Sequence, residues 1–85
     1  MIPQRVVDWV YQCDSIMREY GMVSGEHLQK SRLSARSKAR KLIRYLIELR
    51  IRDRDELREH YDQVKGGWVW SVELVPKKGD SSDDR

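Results

Sequence analysis

Seven cations stand between His27 and Ile47 with no carboxylate among them: Lys30, Arg32, Arg36, Lys38, Arg40, Lys41 and Arg44. The formal net charge of the 85-residue chain is +3, so this stretch carries +7 and the remainder −4. A solvated helix face usually mixes signs, because Glu–Lys pairs four residues apart support a helix and like charges at that spacing oppose it. Charge gathered on one segment builds a local field, and polyanions are what such a field attracts, nucleic acid foremost. The competing reading is a solvated face in a charge-rich small protein.

Other residue types carry weaker signals. Cys13, His27 and His60 are metal-binding types, but no CxxC, HxxxH or clustered carboxylate spacing joins them. Asp53, Asp55, Glu56 and Glu59 could hold magnesium, yet they form one local run with no phosphate-binding glycine loop beside it, and a solvated acidic face is expected. Gly66-Gly67 is expected to be a turn, since no helix start with Lys and Ser or Thr follows it. No Ser-His-Asp arrangement has a signature here. The expectation is a protein that is not an enzyme and uses no cofactor and no metal. Trp68 and Trp70 could stack on single-stranded bases. Alternating aromatics on one strand face are more often core, and the chain has no Phe to fill that role.

The length bounds what can position these residues. A chain of 85 residues is one domain. It buries roughly 60–65% of its unfolded surface, so its core is modest. Charged residues make up 36% and apolar ones 39%, which is enough apolar material for one core. A single cysteine excludes an internal disulfide, and Cys13 follows Val6 and Val10 at helical spacing, as a buried thiol would. No run of about 18 apolar residues exists to span a membrane, and Met1 to Arg5 does not open a signal peptide. A cytoplasmic location is expected.

Val6, Val10, Cys13, Met17 and Tyr20 step by four and three, which predicts a helix ending at Gly21. Met22 and Val23 suggest a very short strand. Ser24 is expected to cap a short second helix over residues 25–30, with Leu28 as its core residue. Ser31 to Leu33 reads as a turn. Ser34 is then the expected cap of a long helix reaching about Arg50, with Ala35, Ala39, Leu42, Leu46 and Leu49 inward, Ile43 widening the stripe, and Arg36, Ser37, Arg40, Lys41 and Arg44 outward. Residues 53–64 read two ways. Asp53 and Glu56 have capping-box spacing, and Leu57, Tyr61 and Val64 suit a short fourth helix; the alternative is an extended, charged hairpin arm. Trp68 to Val75 alternates as a strand, with Trp68, Trp70, Val72 and Leu74 on one face. Residues 1–75 form the expected domain and 76–85 a flexible tail.

This order of elements resembles the winged helix-turn-helix of small phage and plasmid DNA-binding regulators, with Ile51–Arg52 in the place of a strand. The resemblance covers about residues 5–75. It implies a mainly α fold with a small β component: three to four helices and a short antiparallel sheet that includes a C-terminal strand. It also implies double-stranded DNA as partner, read in the major groove by Ala35, Arg36, Ser37, Lys38, Arg40 and Lys41. Arg36 or Arg40 would pair with guanine, Ser37 and Lys41 would meet phosphate, and Lys30 and Arg32 would contact the backbone; Ser34 and Arg44 complete the set. The sequence departs from the pattern in three ways. The second helix has little apolar content, the recognition helix is long, and the wing would be acidic.

Sequence-specific regulation of DNA by occupancy is therefore the leading expectation. A protein-interaction module using the same helix against an acidic partner is the alternative, and RNA binding is a third. The acidic run suggests one further partner, the basic helix of a second copy, which would make a homodimer.

Overall fold

The computed structural model describes residues 2–25, 27–52 and 57–75. Along them run α1 (Gln4–Tyr20), β1 (Met22–Ser24), α2 (Arg32–Glu48), β2 (Leu57–Val64) and β3 (Gly67–Leu74). The strands form one antiparallel sheet in the order β1-β3-β2. Both helices contact the same sheet, α2 across β3 and β2, α1 across β1 and β3. The expectations placed on the Asp53–Glu56 capping spacing and on the tail 76–85 fall outside the described residues.

The inward stripe of each helix meets the inward face of β3. Val10, Cys13 and Met17 of α1 and Ala35, Ala39, Leu42, Ile43 and Leu46 of α2 close on Val23, Trp70 and Val72. Fully burying a Leu or Val contributes about 1.5–3 kcal/mol, and Leu42, Leu46, Val10 and Val72 are all sealed. Tyr20, expected on the same stripe, is the last residue of α1 and is 72% exposed. Gly21 stops α1 with φ +80, and its N–H donates to the Met17 carbonyl.

The described residues of 25–30 do not form the expected helix. Its backbone bonds to β3 instead: the Gly25 N–H donates to the Trp70 carbonyl at 3.0 Å, and Gln29 and Trp68 exchange N–H···O bonds, both 2.8 Å. The physical reason is in the composition. Leu28 was the segment's one core candidate, and it stays 50% exposed. A helix there would bury almost nothing, whereas an extended chain satisfies backbone groups along β3. Gly25 permits this approach, since a Cβ at that position would lie 2.1 Å from the Trp70 Nε1.

A fourth helix does not form over the described part of 53–64 either. Residues 57–64 pair residue for residue with β3, from Leu57 opposite Leu74 to Val64 opposite Gly67. The hairpin arm was the alternative reading, and period-two alternation explains it. Leu57, Glu59, Tyr61 and Gln63 share a face with the apolar side of β3, so Tyr61 stands opposite Trp70. Gly66, at φ +93, turns the hairpin.

The described residues thus form a small α+β arrangement of two helices and a three-stranded antiparallel sheet, not a mainly α one with three to four helices. Among the described residues no helix stands between β1 and α2, so the second of the expected helices is missing from the order of elements. Two boundaries also move. Ser31, not Ser34, caps α2, accepting from the Ser34 N–H at 3.1 Å. Ile51–Arg52 makes no strand: the Ile51 N–H folds back to the Leu46 carbonyl while Arg50 takes φ +56. This turn delivers Arg52 to Asp14, a buried carboxylate of α1, at 2.9 Å; Arg18 holds its other oxygen, also at 2.9 Å.

Candidate nucleic-acid interface

α2 packs across β3 and β2, and this placement splits the basic set three ways. Arg32, Arg36 and Arg40 recur every fourth residue on the flank that faces β2. The Arg32 guanidinium sits 5.2 Å from the Tyr61 ring centre. Arg40 Nε lies 3.3 Å from the Glu59 carboxylate, which also accepts the Tyr61 hydroxyl. Burial pushes the Tyr61 phenol up to about 12. The hydrogen bond and negative charge of Glu59 add to the rise, and the Arg40 and Arg36 charges partly oppose it. Arg36 is half-buried.

Ser37, Lys41 and Arg44 are exposed, and with Arg40 they make the outward arc. A groove of about 470 Å³ runs between this arc and β2, with Ile43 and Ile47 as its apolar part, Arg40, Lys41 and Arg44 as its basic rim, and Glu48 and Glu59 at its acidic edge. Lys38 is turned the other way and lines a cleft against α1. Ser34 is also drawn inward, its hydroxyl donating to the Gln29 side chain at 2.7 Å. Lys30 is exposed just before the helix.

Among the described residues Arg40 alone of the seven cations has a carboxylate within ion-pair distance. Among the described residues, then, Glu59 on Arg40 is the one carboxylate engaged by the basic set. Glu59, expected on a solvated acidic face, is instead half-buried and engaged by Arg40 and Tyr61. The alternation Leu57, Glu59, Tyr61, Gln63 was the signal that placed it inward.

The remaining candidates separate. Trp70 is core at 6% exposure, with Trp68 packed against the same cluster. His60 lies on the outer sheet face, 2.7 Å from Glu73, away from Cys13. Among the described residues no three metal-binding side chains come together. Burial pushes the Cys13 thiol up to about 11. No described helix is long and apolar enough to cross a membrane. In comparisons with protein-family models, curated proteins and solved structures, the chain matches none.

Proposed function

We propose that the chain binds double-stranded DNA through the outward arc of α2 and acts by occupying its site. The observation that carries this reading is the run Arg36, Arg40, Lys41 and Arg44, of which only Arg40 has a carboxylate partner among the described residues. Such an arc gains most from phosphate, which releases condensed counterions when neutralised. With Arg36 and Arg40 turned toward β2, Arg44 and Lys41 become the groups most able to reach a groove, and Ser37 and Lys30 supply flanking backbone contacts.

The test is fluorescence anisotropy of a labelled duplex titrated with protein at several salt concentrations. Four neutralised phosphates give a log–log slope of about −3.6. The double variant Lys41→Ala/Arg44→Ala keeps every interaction described within the fold and should lose about two units of that slope. A folded wild-type protein that binds no duplex at low salt would sink the reading.

A second reading rests on a separate observation. Leu33, 71% exposed, and Ile47, 39% exposed, belong to the same helix as the outward cations. A protein partner with an acidic and apolar face would use both. Leu33→Ala separates the two: it leaves phosphate-driven binding unchanged and weakens a protein contact.

A further inference from the structure

β2 closes the sheet on one side: the strand order is β1-β3-β2, and no described strand lies beyond it. The bonds of β3 fix which backbone groups of β2 face outward. Trp68, Trp70 and Leu74 bond toward β1 and the segment after it, at Gln29, Gly25 and Gly21. Backbone groups alternate sides along a strand, so Val69, Ser71 and Glu73 bond the other way, to their register partners Asp62, His60 and Arg58. The N–H and C=O groups of Glu59, Tyr61 and Gln63 therefore point away from β3, along the edge of the sheet.

This edge lacks the features that commonly guard one. β2 is eight residues long and none of them is buried. Its register with β3 runs without a bulge, and Leu57–Val64 holds neither proline nor lysine. Beside it lies the groove of about 470 Å³ between α2 and β2, with Ile43 and Ile47 as its apolar part and Arg40, Lys41 and Arg44 on its rim. Glu59 lines the same groove, so the groove opens on the face of the sheet that carries the helices. A further strand laid along β2 would send every second side chain into it, because successive side chains take opposite faces.

We propose that the open edge of β2 takes an extended, acidic segment of a partner protein as a fourth strand. Main-chain hydrogen bonds to Glu59, Tyr61 and Gln63 hold the segment. Its apolar side chains lie on Ile43 and Ile47, and its carboxylates meet Lys41 and Arg44. The rim selects this occupant: three cations favour carboxylates, whereas a second copy pairing antiparallel through β2 would bring its own basic α2 against this one. A DNA contact uses the rim cations alone and leaves the backbone edge and both isoleucines unoccupied. The inference therefore stands whether or not the outward arc meets DNA.

The test uses the full chain, ¹⁵N-labelled, titrated with a synthetic peptide of the length of β2, acetyl-Thr-Val-Thr-Glu-Thr-Val-Thr-Glu-amide. Hydrogen exchange at the amides of Glu59, Tyr61 and Gln63 should slow by roughly tenfold or more when the peptide binds, while Arg58, His60 and Asp62, already bonded to β3, change little. N-methylation of one alternate set of peptide amides should abolish binding, and methylation of the other set should leave it intact. Replacing both Glu residues of the peptide by Gln should weaken it roughly tenfold. Ile47→Asp, a change at a partly exposed position, should weaken the parent peptide as well. No saturable binding up to millimolar peptide overturns the proposal. So does equal tolerance of both N-methylated sets, equal affinity of the Gln peptide, or a response confined to the amides of Lys41 and Arg44. A chain that binds duplex yet shows no protection along β2 keeps the DNA reading and loses this one.

Discussion

Cys13 shows how burial sets the chemistry of one side chain. The thiol is 4% exposed, and its pKa rises from 9.0 to about 11 because the thiolate would lose its hydration. At neutral pH it is a small apolar group and no nucleophile. A thiol reagent should label it slowly in the native protein and rapidly in denaturant. A raised folded-state pKa also means that the stability it contributes is complete below pH 9 and is lost as pH climbs through about 11. The Tyr61 phenol, pushed from 10.0 to about 12, acts in the same direction over a higher window. Denaturation followed from pH 8 to 12 should show stability falling from about pH 9, with the lower part of the fall absent in Cys13→Ala. Arg50 makes a different residue-scale case. Its φ of +56 belongs to the left-handed region, which costs a side-chain-bearing residue roughly 1–2 kcal/mol. Glycine removes that cost but loses some chain entropy. Arg50→Gly should therefore stabilise by about 0.5–1 kcal/mol, raising the thermal midpoint by roughly 4 °C.

Among the elements, the segment between β1 and α2 is the most sensitive to substitution. Gly25 lies against the Trp70 ring, and its N–H donates to the Trp70 carbonyl. Gly25→Ala places a methyl within 2.1 Å of the indole nitrogen, so either the indole or the extended segment must move. A loss of about 2–3 kcal/mol is expected in chemical denaturation, together with a shift of the Trp70 indole resonance. A near-neutral result would mean that the segment does not pack on β3. The start of α2 supplies a comparison at the same scale. Ser31→Ala removes the cap oxygen and should cost about 1 kcal/mol. Ser34→Ala removes the bond to Gln29, and should act on the anchoring of the extended segment rather than on helix initiation.

Across the whole molecule, two ion pairs tie distant parts of the chain together, and they differ in weight. Arg40–Glu59 joins α2 to β2 at the surface, so its loss is worth roughly 0.2–1 kcal/mol. Arg36→Ala with Arg40→Ala should accordingly leave the protein folded while weakening duplex binding, and circular dichroism beside anisotropy checks both. Asp14 is another matter. Its side chain is 9% exposed and holds Arg52, whose own side chain is 12% exposed, as well as Arg18. This contact fastens the turn after α2 onto α1. Asp14→Ala leaves a largely buried guanidinium without that carboxylate and should destabilise by about 3 kcal/mol or more. The Lys41→Ala/Arg44→Ala protein, in contrast, should unfold at the same denaturant concentration as wild type.

The two helices, the apolar stripe of α2, the short first strand and the alternating last strand were all legible, because each depends on a local period that a dozen residues display. The concentration of positive charge was legible for the same reason. Its division among a β2-facing row, an outward arc and Lys38 on the far flank was not: a helical wheel shows which residues share an arc but not which neighbour that arc will meet. The segment 25–30 and the strand over 57–64 were decided by tertiary structure. Each has too few apolar residues to stabilise a helix by itself, and each instead gives backbone hydrogen bonds to β3, a strand far along the chain for one and immediately across a turn for the other. Local sequence determined where the chain prefers to be helical and where its charge collects. Long-range pairing to β3 determined which weak segments became extended, and with them where the basic arc, Glu59 and the cleft lined by Lys38 came to lie, because an unpaired backbone takes whichever partner the rest of the fold brings to it.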